Sequence, residues 1–268
     1  MGPSLPRARA FLLALAPALV LLALWEWFVR AFGVDPVFLP APSRVAKAGF
    51  DSAGLLVVAA RQTMLEAVLG LALAFAAGVL LGLAIDLSPV VRRTLYPLLV
   101  VSQTIPMIAL APLLVLWFGF GITPKLLVVA LVCFFPIAVA VADGLGSAEP
   151  EMIRLVQSMG AGRRQLYLKV RVPQSLPYVF SGLKIAVTYG VIGAIFGEYV
   201  GGYEGLGILM QTAKNSFQTD VVFAAIFVTA VLSIGLFLMV SVAERLLLPW
   251  HARSAGPTET REPAQAGR

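Results

Sequence analysis

Residues 147–177, SAEPEMIRLVQSMGAGRRQLYLKVRVPQSLP, form a compact basic and amphipathic island between two long apolar stretches. Ser147 is placed to cap a helix, with Glu149, Pro150 and Glu151 in the first turn, where acids and proline suit a helix start. Met152, Val156 and Met159 follow at helical spacing and make one apolar stripe. Gly160-Ala161-Gly162 breaks this helix. A second short segment, 163–171, carries Arg163, Arg164, Lys169 and Arg171, with Leu166 and Val170 four apart. Pro173 is expected to stop it, and Pro177 introduces the next apolar run. The pattern is a helix–turn–helix with a sticky face and a positive rim, the size of a docking plug. By residue type alone it is either that or an ordinary basic loop lying on lipid headgroups.

The rest of the chain says what surrounds the island. Of 268 residues, 59% are hydrophobic and 13% charged, against about 25% charged in soluble domains. Mean hydropathy is +0.91. These values point to the bilayer as solvent. The net charge of +6 fits a Lys/Arg excess on cytoplasmic loops better than a nucleic-acid partner. The single cysteine, Cys133, lies in an apolar run, which excludes an internal disulfide and leaves a packing role. Arg7 and Arg9 precede the apolar run 11–25 as in a secretion signal. That run continues through Trp27, Phe28 and Val29 without a small-residue cleavage site, so it is read as an uncleaved first span.

Six apolar runs, 11–32, 63–86, 94–118, 125–143, 178–200 and 221–247, each approach the ~20 residues that cross a bilayer. They are continuous rather than alternating, which favours helices over barrel strands. The expected fold is all-α, a polytopic membrane protein with about six transmembrane helices. It divides into a cytoplasmic segment 1–10, a membrane domain 11–250 carrying loop 147–177, and a disordered cytoplasmic tail 251–268. Asp35-Pro36 and Pro40-Ala41-Pro42 end the first span, and Gly119, Gly121 and Pro124 turn the chain between the third and fourth. With both termini inside, the cytoplasmic side holds Arg7, Arg9, Arg92, Arg93, Arg154, Arg163, Arg164, Lys169, Arg171, Lys184, Arg245 and Arg253. The outer side holds Arg30, Arg44, Lys47, Arg61, Lys125 and Lys214, twelve cations against six. Residues 43–61 read as an amphipathic helix on the outer surface.

Charges at membrane depth cost about 2.5–3.5 kcal/mol on insertion scales, so each needs a reason. Glu66 and Glu244 either snorkel at an interface or pair locally, and Lys184 adds to the inside-positive bias. Glu198, beside Gly197, Gly201 and Gly202, either lines an outer gate or binds backbone amides of that glycine-rich stretch. In the third span Ser102, Gln103 and Thr104 precede Pro106, and Pro112 follows. Proline frees a carbonyl that polar side chains can satisfy, so this is either a structural kink or a pathway lining. Trp117 and Phe118 suit the outer aromatic belt.

Gly160, nine residues, then Val170-Arg171-Val172-Pro173 resembles the signature loop of bacterial ABC importer permeases, the Glu-Ala-Ala…Gly…Ile-x-Leu-Pro pattern. The chain departs from it at Arg154-Leu155-Val156, where the family has Glu-Ala-Ala. Gln103-Thr104-Ile105-Pro106, Ala109-Leu110-Ala111-Pro112-Leu113, Leu116-Trp117-Phe118-Gly119, Phe135-Pro136-Ile137, Gly182-Leu183-Lys184 and Gly197-Glu198 are similar to the nitrate/sulfonate/taurine-type permeases over residues 36–250. Residues 193–201, Gly205-Leu206-Gly207 and 244–250 look most like the branch importing the hydroxymethylpyrimidine precursor of thiamine, or riboflavin.

The resemblance implies a permease homodimer in the bacterial inner membrane, docked on a dimer of ATP-binding subunits and met outside by a substrate-binding protein, with lipid around it. It implies coupling through Met152, Arg154, Leu155, Val156, Met159, Gly160, Ala161, Gly162, Arg163 and Pro173. Gln103, Thr104, Pro106, Glu198 and Gly201 are the candidates for the pathway or gate. The chain has no phosphate-binding Gly-x-x-x-x-Gly-Lys-Ser/Thr run. ATP and Mg are therefore expected on the partner, with no cofactor, metal or catalytic residue on this chain. Two other classes compete: a secondary transporter, which would show inverted repeats and ionisable relays, and a membrane enzyme. His251, the one histidine, follows the last span and leaves the enzyme reading poor.

Overall fold

The computed structural model describes residues 7–250, with side chains from Ala16 onward. The expected tail 251–268 and the start of segment 1–10 lie outside the described residues. Everything regular within them is helical. In order, the helices are α1 Arg7–Ala31, α2 Pro42–Asp51, α3 Ala53–Leu87, α4 Pro89–Ser102, α5 Met107–Phe118, α6 Ile122–Gly146 and α7 Pro150–Ser158. They continue as α8 Arg163–Leu166, a π-turn Tyr167–Arg171, α9 Val172–Gly201, α10 Leu206–Asn215 and α11 Thr219–Leu247.

Among the described residues four helical stretches are long and apolar enough to cross a membrane: Ala53–Leu87, Ile122–Gly146, Arg163–Gly201 and Thr219–Leu247. A fifth arises if α4 and α5 are taken together. The first expected span falls in α1. Large side chains such as Leu21, Val57, Leu80 and Phe227 are more than half exposed, the outward-facing surface that hydrocarbon tolerates and water does not.

Four local expectations are corrected. The third span is interrupted at residues 103–106, where Thr104 Oγ1 donates to the Val101 carbonyl at 2.7 Å and Ser102 Oγ to that of Leu99 at 2.9 Å. Pro106 has no N–H to continue the ladder, and the backbone ahead of it tightens into bonds three residues back, Gln103 to Val100, Thr104 to Val101 and Ile105 to Ser102, with the two hydroxyls adding their own bonds. The surface helix ends at Asp51, because Ser52 leaves the helical conformation at φ −100 and ψ 14, and residues 53–61 belong to α3. Ser147 caps nothing ahead of it: its hydroxyl turns back to the Gly144 carbonyl at 2.8 Å, and α7 starts on Pro150, whose fixed φ sets the first turn. Pro173 does not stop the helix. In the π-turn the Val172 N–H reaches back five residues to Tyr167, and this widened turn absorbs a proline that an ideal ladder would not.

The chain divides into two compact units. Among the described residues one comprises 7–68, 108–128 and 191–232, the other 69–107, 129–190 and 233–250. The first has a core of Leu56, Ala59, Leu206, Met210, Ala224 and Ala225 from α3, α10 and α11. The second is built around Ile85, Leu99, Phe135, Ala138 and Ala142 from α3, α4 and α6. Hydrophobic burial drives little association when the solvent is itself hydrocarbon, so helices in the second unit approach through small residues. A Cβ at Gly78 would meet Ile137 Cγ2 at 2.9 Å, and one at Gly82 would meet Val141 Cβ at 2.6 Å. Gly78 and Gly82, four apart on α3, thus make a groove for two β-branched knobs of α6. Gly144 and Gly182 pack as closely, Gly144 against Ser175 and Tyr178 and Gly182 against Pro136 and Ala140.

Enlarging such a site forces helices apart, at about 1–3 kcal/mol for overpacking. Gly82→Leu is expected to lower the thermal unfolding midpoint of the detergent-solubilised protein, whereas Gly235→Leu, at a glycine with open space around it, leaves it within error.

Candidate functional site

Two arrangements carry chemistry, one in each unit. In the second unit α7 stands out as an amphipathic helix that buries none of its residues. Met152, Leu155 and Met159 are 40%, 57% and 78% exposed, while Ile153 and Val156 are half-buried. The outward stripe therefore runs through Leu155, with Val156 turned partly inward. Gly160 ends the helix at φ +82. Its N–H donates to the Gln157 carbonyl at 2.9 Å and that of Ala161 to Val156 at 3.3 Å, the paired bonds of a left-handed helix stop that glycine supplies without strain. Gly162 donates its N–H to Gln165 Oε1 at 3.2 Å and opens α8.

The sequel to α7 is fastened down. Leu166 and Val170 are buried, while Arg163, Arg164 and Lys169 stay exposed. Arg171 in the π-turn faces Asp86 of α3 at 3.4 Å. Pro173 is half-buried in the first turn of α9. An exposed apolar helix is thus mounted on a charged, tethered base. Lys184 of α9 pairs with Glu244 of α11 in the same unit, so both members of that intramembrane set are neutralised locally.

In the first unit the glycine-rich stretch after α9 wraps a carboxylate. Gly205, at φ +121, is the N-cap of α10 and has no side chain to offer its first N–H groups. Two neighbouring helices supply the acceptors. Glu198 Oε2 accepts from the Gly207 N–H at 2.6 Å, and Thr63 Oγ1 accepts from the Leu206 N–H at 2.9 Å while donating to Glu198 Oε1 at 2.6 Å. A carboxylate at a helix N-terminus is favoured by both the free donors and the dipole. A Cβ on Gly205 would overlap the Glu198 carboxylate, and one on Gly207 would come within 2.9 Å of it. Gly201 is buried against Val115.

One helical turn along α3, Glu66 is fully buried and accepts from Lys125 Nζ at 2.6 Å and from Gln62 Nε2 at 2.8 Å. Its second oxygen has no partner. Lys125, expected in an outer loop, is 4% exposed, because it is the cation that makes Glu66 tolerable inside. Sequence reasoning found Glu66 and Glu198 but missed Gln62, Thr63 and Lys125. The available signal was Thr63 and Glu66 on one face of an apolar helix.

Of the pathway candidates, Glu198 and Gly201 lie inside this knot, and Gln103, Thr104 and Pro106 lie exposed at the α4–α5 break. The described residues contain no group of three or more His, Cys, Asp or Glu side chains able to hold a metal.

Apolar helices long enough to cross a membrane, buried paired charges and an exposed amphipathic helix describe a membrane-embedded protein. The chain belongs to the family of binding-protein-dependent transport system inner membrane components, whose model matches residues 74–249. It is 42% identical to the formylaminopyrimidine transport permease protein ThiX of Halalkalibacterium halodurans, over 88% of this chain and 94% of that one. It is 35% identical to the taurine transport system permease protein TauC of Escherichia coli, over 92% of each. Its fold is shared with a chain of the MetNI methionine ABC transporter at a TM-score of 0.59 and 19% identity, covering 72% of this chain and 97% of that one. The protein is thus a permease subunit of an ABC importer in the inner membrane.

Removing one member of a buried pair costs about 3–5 kcal/mol, because the other is left charged and alone. Lys125→Met is expected to lower the thermal midpoint in detergent far more than Glu66→Gln combined with Lys125→Met, since the double variant leaves no unpaired charge. Equal midpoints for the two would show that the pair is not what holds Glu66.

Proposed function

We propose that this permease carries a pyrimidine precursor of thiamine inward, driven by a separate ATP-binding subunit that grips α7. One observation carries the coupling role: Met152, Leu155 and Met159 stand exposed on a helix with no buried residue. Outside hydrocarbon such a stripe is stable when a partner covers it. Arg154 and Arg163 supply a polar rim, Gly160, Ala161 and Gly162 the turn, and Pro173 the junction with α9. Arg154 takes the place of the family's acid, so the polar contact at the rim is carried by a cation here.

With both termini inside, α7 faces the cytoplasm. Removing buried Lys125 and paired Lys184 from the loop tally leaves eleven inside cations against five outside, which supports the same orientation. Segment 1–10 and tail 251–268 then flank the membrane domain on the cytoplasmic side. Two permease copies would sit on two ATPases, which bind the Mg and ATP, and an external binding protein would deliver cargo. Closing of the ATPases moves the two α7 helices, and the spans follow as rigid bodies. That coupling requires the grip to differ between the two states. The exposed break at Gln103, Thr104 and Pro106 suits a pathway lining. Glu198 and Gly201 brace the stretch leading to α10, so a gate role for them would act through that stretch.

The thiamine-precursor assignment rests on the 42% identity to ThiX. Similarity to TauC supports a second reading, a taurine- or sulfonate-type cargo. Uptake of radiolabelled formylaminopyrimidine and of taurine by cells carrying the whole transporter separates them. Saturable, ATP-dependent pyrimidine uptake that excess taurine leaves unchanged is expected, and the reverse pattern overturns the assignment.

Leu155→Asp is expected to reduce uptake at least tenfold while the subunit still inserts. Gly160→Pro should do the same, because proline is fixed near φ −65° and cannot adopt the +82 found here. Normal uptake by both variants would remove α7 from the coupling role.

A further inference from the structure

Asp86, in the last turn of α3, is 5% exposed, and its ion-pair partner is Arg171 of the π-turn, 32% exposed. A single nitrogen, Arg171 Nη1, lies 3.4 Å from both carboxylate oxygens. A formed guanidinium–carboxylate fork uses two nitrogens, each at about 2.7–2.9 Å. The contact is therefore long, and it is made by the wrong part of the guanidinium for a fork.

Three polar atoms on the same helical stretch are buried with no hydrogen-bond partner in the protein: Arg171 Nε, the Tyr167 hydroxyl and Gln174 Oε1. Tyr167, Arg171 and Gln174 stand four and three residues apart along the π-turn and the start of α9, so they share one face. The charges of Asp86 and Arg171 both bear on the Tyr167 hydroxyl. Buried polar groups are nearly always paired, and each exception calls for a reason.

The four side chains hold the missing partners among themselves. A carboxylate accepts roughly four hydrogen bonds, and Asp86 receives only two long ones from one nitrogen. Turning the guanidinium so that Nε and one terminal nitrogen each meet an Asp86 oxygen makes the fork. The other terminal nitrogen is then a donor for Gln174 Oε1, and Asp86 keeps lone pairs for the Tyr167 O–H. Donors and acceptors balance without an outside group. Closing the cluster needs only a small movement of the π-turn against the end of α3. The π-turn sits between α8 and α9, just beyond α7, and such turns are rare and recur at functional sites. A buried polar cluster with one loose and one fully paired arrangement is a two-state element, which a pull on α7 biases.

We infer that Asp86 is a positioning residue for coupling: its contact with Arg171 stands open here and closes to a two-bond fork, drawing in Tyr167 and Gln174, when the ATP-binding subunit moves α7. This rests on the docking of α7 proposed above. The closed fork fastens the start of α9 to the end of α3 for the part of the cycle in which α7 is pulled.

The test uses the whole transporter in liposomes. Asp86→Cys combined with Arg171→Cys, in a Cys133→Ser background, is oxidised without nucleotide and again after trapping with ATP and vanadate. Disulfide formation is expected to be several-fold faster in the trapped state. ATP hydrolysed per cargo molecule is then measured with formylaminopyrimidine or taurine, whichever the wild type carries. Asp86→Asn removes the charge, and Arg171→Lys keeps the charge but removes the fork. Each is expected to raise the ratio several-fold, with Asp86→Glu closer to the wild type. A pair that only held the fold together would lower hydrolysis and uptake in step and leave the ratio unchanged. An unchanged ratio in both inserted variants, or equal cross-linking in the two states, overturns the proposal. If Asp86→Asn does not insert, Arg171→Lys decides alone. Both variants are expected to co-purify with the ATP-binding subunit, whereas a wild type that fails to do so would overturn the docking of α7 itself.

Discussion

Hydrocarbon offers a protein no hydrogen-bond partner and no counter-ion, and the interior of this permease is arranged around that lack. The buried charges bring their own answers, and so does one half-buried pair. Glu66 has Lys125 and Gln62, Glu198 has Thr63 and the first amides of α10, and Lys184 has Glu244. At the break between α4 and α5 backbone N–H groups tighten onto carbonyls three residues back, and two hydroxyls add their own bonds. Glycines at 78, 82, 144 and 182 let helices approach where water would otherwise have driven them together.

The same constraint makes α7 informative by contrast. Apolar side chains facing outward are ordinary on α3 or α11, since lipid covers them. On a nine-residue amphipathic helix that carries Arg154 and is followed by Arg163 and Arg164 they form the surface we propose for docking the ATP-binding subunit. The glycine stop closes α7 with two backbone bonds, and Arg171 faces Asp86 of α3 just beyond it. In the proposed coupling a push on α7 would pass through this join to α9 and α3.

The helix α7 and the basic segment after it were legible in the sequence because they are contiguous: apolar spacing, glycine and basic residues all fall within one stretch. Spans were legible for the same reason. The polar knot was not, since its members come from α3, α6, α9 and α10 and nothing local pairs Thr63 with Leu206 or Lys125 with Glu66. Reading Lys125 as a loop charge followed from its place beside a turn. Reading Pro173 as a stop applied a rule for regular helices, which the π-turn sidesteps by widening one turn ahead of the proline. The helix α10 was overlooked because its caps are supplied by other helices and not by its own flanking residues.

The docking of α7 is tested most directly by a single cysteine at Leu155, introduced with the buried Cys133 replaced by serine, and a membrane-impermeant maleimide. Labelling is expected in inside-out vesicles lacking the ATP-binding subunit and absent in right-side-out ones, with strong protection once that subunit is added. Labelling from the outer face, or labelling unchanged by the ATP-binding subunit, would contradict the account.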